Sequence, residues 1–324
     1  MSDLYQFDKV RKEDATLFWK DAPWASVFTS PDYLATFAAN VDYWVLTYRG
    51  KKVYFWPVPL DADGTPTRPN YSYYCGPCPS ALWLSEPWHR QYNLQQSAMK
   101  IMIQALLKIY GSLVLSLSTH QTDVRPFDWW NYHGPPATRF RINPRYTAVI
   151  DLKRFNDDQA LLLSYRYCRR NEIYRTRKSG SFFESTDVVF QQVVDTYAET
   201  TNSSLPPGSY DTMRRDIKHL LELVAKGHGF ITQLHSKDGS TTFAYFSLVL
   251  VASGCANLVL SLTPKSLRYT GVAALGTHTT IMKAKAEWAA LTFDFNGANS
   301  PNRGDDKHSY GATPALYFDI SYGA

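Results

Sequence analysis

Between residues 43 and 60 the chain reads "YWVLTYRGKKVYFWPVPL". Two runs rich in Val, Tyr and Phe flank Arg49-Gly50, a pattern that predicts a β-hairpin. From Asn93 the period changes. In "NLQQSAMKIMIQALLKIYG", Leu94, Ala98, Ile101, Met102, Ala105 and Ile109 share one helical face, with Asn93 as N-cap and Gly111 past the end. "LVLSL", Leu113 to Leu117, follows as a buried strand. Four prolines (126, 135, 136 and 144) interrupt residues 123–145, which reads as a linker.

The strand "YTAVIDL" opens a second half with the same alternation. One long helix is expected through "DDQALLLSYRYCRRNEIYRTRKSG". Another, "YDTMRRDIKHLLELVAKG", has Met213, Ile217, Leu220, Leu221 and Val224 on one face and Gly227 at its stop. A meander is expected through "GFITQLH", a turn at Asp238-Gly239, "TTFAYFSLVLVA", a turn at Ser253-Gly254 and "ANLVLSL". The loop "RYTGVA", a helix through Trp288 and the strand "LTFDF" complete the pattern. The repeated layout predicts a duplicated α+β unit, 1–145 and 146–324, with a last strand near 315–321 that returns to the first domain.

Composition narrows the class. Hydrophobic residues at 44% and charged residues at 19% predict a folded globular chain, and the net charge of +5 favours anionic partners. Four cysteines are too few for a disulfide framework, so the expectation is a reducing, cytoplasmic setting. The charged start "MSDLYQFDKVRKED" predicts no signal peptide. The most apolar stretch, Phe246 to Leu262, is broken by Ser253-Gly254 and Asn257, so it reads as two strands and not a membrane span. The eight histidines form no His-x-x-x-His pair, which argues against a zinc site. No G-x-S-x-G or P-loop pattern is present.

Four stretches carry candidate chemistry. "YYCGPCPS" contains Cys75-Gly76-Pro77-Cys78, the tetrapeptide of thioredoxins, but the upstream run is polar and aromatic and no sustained helix follows directly. A strand ending in a Gly-Pro turn is the alternative. "RYTGVA" has the spacing R/Q-x-x-G-x-G/A. "RYCRRNEIYRTRKSG" sets six cations against Glu172, with Arg166, Arg169, Arg170 and Arg177 on one stripe. "FDFNGANSPNRGDDKHSYGATPALYF" opens from a strand into a loop rich in Gly and Asn.

Taken together these stretches resemble known families. "RYTGVA" is similar to the pyrophosphate loop of acetyltransferases with the GNAT fold. "RYCRRNEIYRTRKSG", "FDFNGAN" and "DKHSYGATP" resemble the basic helix, the F-D-x-x-G strand and the F-K-x-x-F-G segment of FemABX peptidyltransferases and FemAB-like acyltransferases. "YCGPCPS" looks like that family's Tyr-x-Gly-Pro strand end. Asp306 stands where the family often has Phe.

The resemblance implies two tandem GNAT-like α+β domains. It also implies an acyl-CoA or aminoacyl-tRNA donor, no tightly bound cofactor, and a primary amine of a cell-envelope, sugar or glycopeptide acceptor, in peptidoglycan or exopolysaccharide synthesis. Lys307 would stabilise the oxyanion, Tyr310 protonate the leaving group and Asp294 orient the amine, with Asp306 able to pair with Lys307. Arg268, Gly271, Val272 and Ala273 would hold the donor, and Arg169, Arg170 and Arg177 an anion or tRNA. A non-catalytic protein that binds RNA or anionic glycan through the basic helix is the rival reading.

Overall fold

The computed structural model describes residues 4–188, 190–201, 209–239 and 243–323. Met1, Ser2 and Asp3 of the charged start, and Thr241 and Thr242 of the expected middle strand, lie outside them. The chain packs as two compact units, residues 1–146 with 315–324, and residues 147–314.

Unit 1 begins with β1 (Tyr5–Val10), α1 (Lys12–Asp21) and α2 (Pro31–Phe37). The hairpin β2 (Asn40–Tyr48) and β3 (Lys51–Leu60) follows, then the short β4 (Cys78–Pro79). These strands form an antiparallel sheet in the order β1-β2-β3-β4. Arg49 and Gly50 both take positive φ, the geometry that a two-residue hairpin turn needs. α3 (Ala81–Leu84), α4 (Trp88–Tyr110) and β5 (Leu113–Ser116) come next, and then α5 (Arg125–Asp128).

α4 starts five residues before the expected Asn93 cap, with Pro87 as its N-cap. Its buried face is Ala98, Met99, Met102, Ile103 and Leu106, while Ile109 is exposed. The helix is apolar on more than one side, so periodicity alone allowed either face. Packing on Trp44, Leu46, Tyr54 and Trp56 of the hairpin selects the Met99–Leu106 side.

Residues 123–145 are not a linker. Phe127 and Phe140 belong to the unit 1 core and meet edge to face at 5.3 Å. The prolines fit because they sit at helix starts, Pro126 in α5 and Pro136 in a 3₁₀ turn.

β6 (Arg141–Asp151) carries the chain into unit 2. The single long helix expected there is two. α6 (Asp158–Ser164) and α7 (Tyr167–Ser179) are separated by Tyr165 and Arg166. Tyr165 is extended, at φ −76° and ψ 152°, and turns its ring into the core beside His278 and Tyr310. That burial breaks the helix at a residue with no helix-breaking chemistry of its own.

β7 (Phe182–Glu184), α8 (Phe190–Thr201), α9 (Ser209–Ala225), β8 (Gly229–Ser236), β9 (Tyr245–Ala252) and β10 (Cys255–Leu262) follow. α10 (Val272–Ala286), β11 (Thr292–Asp294) and α11 (Pro301–His308) complete the unit, and β12 (Thr313–Tyr322) leads back to unit 1, where it pairs antiparallel with β5. The expected meander is β8-β9-β10, turning at Ser253-Gly254. The unit 2 strands run in the order β6-β11-β10-β9-β8-β7, antiparallel except for the β10–β11 pair.

Candidate active site

The parallel pair opens after three residues. Cys255, Ala256 and Asn257 face Thr292, Phe293 and Asp294; β11 then ends, while β10 continues to Leu262. The register of β10 against β9 shifts between Leu258 and Leu260, and such a bulge takes a residue out of the ladder. At the opening stand two buried amides. Asn296 donates from Nδ2 to the Leu258 carbonyl at 3.1 Å. Oδ1 of Asn296 and Oδ1 of Asn257 have no hydrogen-bond partner among the described residues. Buried acceptors of this kind are costly unless something supplies a donor.

The loop after β11 is clamped from both sides. Asp294, 3% exposed, accepts from the Thr147 hydroxyl and from the Asn296 N–H at 2.8 Å. The Gly297 N–H donates to Thr147 Oγ1 at 3.2 Å. Lys307 on α11 donates to the carbonyls of Phe295 at 2.9 Å, Asn296 at 2.8 Å and Gly297. Burial pulls its ammonium down to about 8, against the opposing pull of Asp294.

An ammonium has three N–H donors, and all of them go to loop carbonyls. The oxyanion role expected of Lys307 therefore gives way to a clamp on the loop. Asp294 likewise holds the turn. Asp306 does not pair with Lys307; it accepts from Arg169.

Tyr310 is 2% exposed. Its ring packs on Phe295 and Tyr165, and the Arg169 guanidinium lies 4.7 Å from its centroid. Burial raises its hydroxyl well above the ordinary phenol value, and the Arg169 guanidinium counters part of that. Thr277 lies 3.3 Å from the Tyr245 hydroxyl, which lies 3.3 Å from Ser261 Oγ at the exposed end of β10. A hydroxyl chain thus links Thr277 to the surface of the strand.

A histidine that motif reading left aside lies behind Tyr310. His278 on α10 is fully buried. Its Nε2 is 2.5 Å from Asp158 Oδ1 and its Nδ1 is 3.0 Å from the Tyr165 hydroxyl. A carboxylate only accepts, so Nε2 carries the hydrogen and Nδ1 accepts from Tyr165. Asp158 also accepts from Arg177 at 2.8 and 3.2 Å. Burial, helped by Arg177, lowers His278 to about 4, so the ring is neutral at physiological pH.

The basic helix is correspondingly committed. Arg166 pairs with Asp305 at 2.7 Å, Arg169 with Glu172 at 2.7 Å and with Asp306, and Arg177 with Asp158. Arg170 meets the Leu163 carbonyl at 3.5 Å and the Tyr167 ring. The expected free cationic stripe is therefore absent at Arg169 and Arg177. Of their partners, Glu172 is three residues from Arg169, whereas Asp306 is 137 residues away and carried no signal in the linear spacing.

The loop 268–273 ends in Gly271, the N-cap of the 15-residue α10, at φ +82°. The first-turn N–H groups of a helix have no intrahelical acceptor; Gly271 has no side chain to offer one, and the Val272 N–H reaches Thr270 Oγ1 at 3.4 Å. Thr176 of α7 donates to the Thr270 carbonyl at 3.4 Å. A Cβ on Gly271 would lie 2.2 Å from Thr176 Oγ1, so the glycine is required by packing as well as by its φ. Its replacement by Val would damage the fold, contrary to what the loop spacing alone suggests. A groove of about 380 Å³ borders the loop, lined by Tyr167, Asn171, Arg175, Tyr269, Thr270 and Gly271. Arg268 is exposed beside it.

Cys75 and Cys78 are free and buried, and burial pushes both thiols up to about 12, opposite to an activated redox thiol. Cys78 lies in β4 and Cys75 bridges to Ser116, so the tetrapeptide is a sheet end. No group of residues suited to a metal ion occurs among the described residues, and no helix among them is long and apolar enough to cross a membrane.

No family model matches the sequence, and no match to it is found among curated proteins. Solved structures do match. FemX superposes with a TM-score of 0.63 at 11% identity, over 97% of this chain and 96% of its own. A conserved protein of unknown function from Bacteroides thetaiotaomicron gives 0.58 at 11%, over 98% and 99%. A tandem GNAT protein from the clavulanic acid biosynthesis pathway, in a form without AcCoA, gives 0.54 at 12%, over 98% and 97%. The chain thus has the tandem GNAT-like fold, with mixed sheets flanked by helices, that its motifs implied.

Proposed function

We propose that the protein transfers an activated acyl or aminoacyl group to a primary amine, with the chemistry in unit 2. The observation that carries this reading is the opened β10–β11 pair together with a helix N-terminus at Gly271, on a fold shared with a tandem GNAT protein. The Ala273 N–H, and that of Val272 in exchange for its long contact with Thr270 Oγ1, are suited to a donor phosphate, and Arg268 adds positive charge. The N–H groups released at the β10 bulge are suited to the developing oxyanion.

In the reaction the neutral amine attacks the donor carbonyl. The C–N bond forms, the C–S or C–O bond to the leaving group breaks, and the proton given up by the amine passes to the departing thiolate or ribose oxygen. The Tyr245 hydroxyl, linked to Thr277 and to Ser261 at the surface of β10, is suited to relay that proton. Lys307 and Asp294 keep the 295–297 loop in place beside the opening. The acceptor is an amine of a cell-envelope precursor, a sugar or a peptide, the class that the likeness to FemX suggests. The rival reading, polyanion binding by the basic helix, loses support from the carboxylates already paired with Arg166, Arg169 and Arg177.

The test offers the purified protein acetyl-CoA or aminoacyl-tRNA with a panel of amines, and looks for the new amide by mass spectrometry. Amide formation with either donor is the expected result. Tight polyanion binding with no amide from either donor overturns it.

A further inference from the structure

One groove of the molecule has no part in this chemistry. It lies wholly in unit 1, between α4 and the segment that follows Asp123, and measures about 610 Å³, within the roughly 300–1,000 Å³ usual for ligand sites.

Its two walls differ in kind. Gln96, Ser97, Lys100 and Gln104 form one stripe along α4, since their spacing keeps them within about one quadrant of the helix. Trp129 and Trp130 stand opposite, and Trp129 is 53% exposed.

The aromatic wall is held in place. Arg125 bonds Asp123 through Nε and Nη2, both at 2.8 Å, and Asp123 also accepts from Gln96 Nε2 at 3.0 Å. The Arg125 guanidinium lies 4.3 Å from the Tyr92 ring centroid and 5.5 Å from that of Trp129. Asn131 closes one end with φ +48°, its amide donating to Thr138. Among the described residues, Lys100 and Gln104 have no hydrogen-bond or ion-pair partner.

We propose that this groove binds an acidic oligosaccharide. A pyranose ring has one face of C–H groups and a rim of hydroxyls. The first lies on the Trp129 indole, and the second meets amides that both donate and accept, Gln104 above all. Lys100 meets a sugar carboxylate. A nucleic-acid strand fits less well: it needs a track of cations, and Arg125 is already neutralised by Asp123. The inference does not rest on the transferase reading, since every group it uses belongs to unit 1 and its readout is binding without turnover.

Tri-galacturonate is titrated into the full chain by calorimetry, beside neutral chitotriose and a uridine hexanucleotide. Saturable binding of tri-galacturonate is expected, weakened at least tenfold in Trp129→Ala and in Gln104→Leu. In Lys100→Gln the preference for the acidic over the neutral sugar disappears. Trp129, Gln104 and Lys100 are exposed, so an unchanged melting temperature is expected in each variant. No binding of tri-galacturonate at millimolar concentration, binding indifferent to all three substitutions, or tighter binding of the hexanucleotide overturns the proposal.

Discussion

The two units repeat one plan and diverge where the plan meets a ligand. In each, a helix leads directly into a buried strand: α4 into β5 in unit 1, α10 into β11 in unit 2. α10 starts at a positive-φ glycine beside an opened strand pair. α4 starts at Pro87, with no glycine and no such loop. The loop after β11 is closed by Lys307 and Asp294. At the end of β5, Ser116 instead meets Asp319, which two arginines hold, Arg68 at 2.6 Å and Arg145 at 2.9 Å. Neither helix start has a side-chain cap from its N-cap residue; what sets unit 2 apart is the positive-φ glycine before α10 and the parallel strand pair that opens ahead of it.

Substitutions at two positive-φ glycines, one before α10 and one after α4, give the largest contrast. Gly271→Val forces a side chain onto Thr176 at a positive φ and should cost unit 2 about 3–5 kcal/mol. Gly111→Ala also sits at positive φ, but nothing lies within 4 Å of its Cβ, so about 1 kcal/mol is expected. Urea unfolding of both variants measures the difference, and equal costs would break the comparison.

Acid separates the units next. His278 titrates near 4 when folded and near its ordinary 6.5 when unfolded. Between those values the unfolded chain holds a proton that the folded chain lacks, so stability falls as pH falls from 6.5 to 4, by roughly 3 kcal/mol. Replacing His278 with Gln should remove most of that slope; an unchanged slope would show that other groups carry it.

Lys307→Met leaves three loop carbonyls without their donor and should cost about 2–3 kcal/mol, together with a fall in kcat larger than any rise in KM. In unit 1, Arg68→Met removes a half-exposed pair and should cost less than about 1 kcal/mol. Turnover within a few-fold of the parent in Lys307→Met would detach the loop from the site. The smallest effect is expected at the cysteines: Cys75→Ala with Cys78→Ala should leave transfer intact, and loss of activity in that variant, with a parent whose activity responds to reductant, would restore a redox role.

These regions also show what sequence can carry. The hairpin at Arg49-Gly50, the meander turning at Ser253-Gly254 and the strand–loop–helix around Gly271 were legible, because turn chemistry and local period are written within a few residues. The "FDFNGAN" and "DKHSYGATP" stretches were legible as special, and the structure gives a physical reason: one supplies the carbonyls and the other the ammonium that binds them. The break at Tyr165 was not legible, since it depends on His278 more than a hundred residues later. The arginine stripe misled for the same reason, its acids being Asp158, Asp305 and Asp306. The proline-rich stretch looked like a linker because prolines at helix starts and prolines in linkers have the same spelling.

The central claim is that α10, and not α4, presents its N-terminus to the phosphates of the donor. The direct measurement is calorimetric binding of acetyl-CoA to Ala273→Glu, with His89→Glu at the matching second position of α4 as its counterpart. A carboxylate in a helix's first turn favours the helix but repels an anion there. The account predicts at least tenfold weaker binding in Ala273→Glu, with an unchanged or slightly raised melting temperature, and no change in His89→Glu. Acetyl-CoA that does not bind the parent protein, or that binds Ala273→Glu as tightly as the parent, would contradict it.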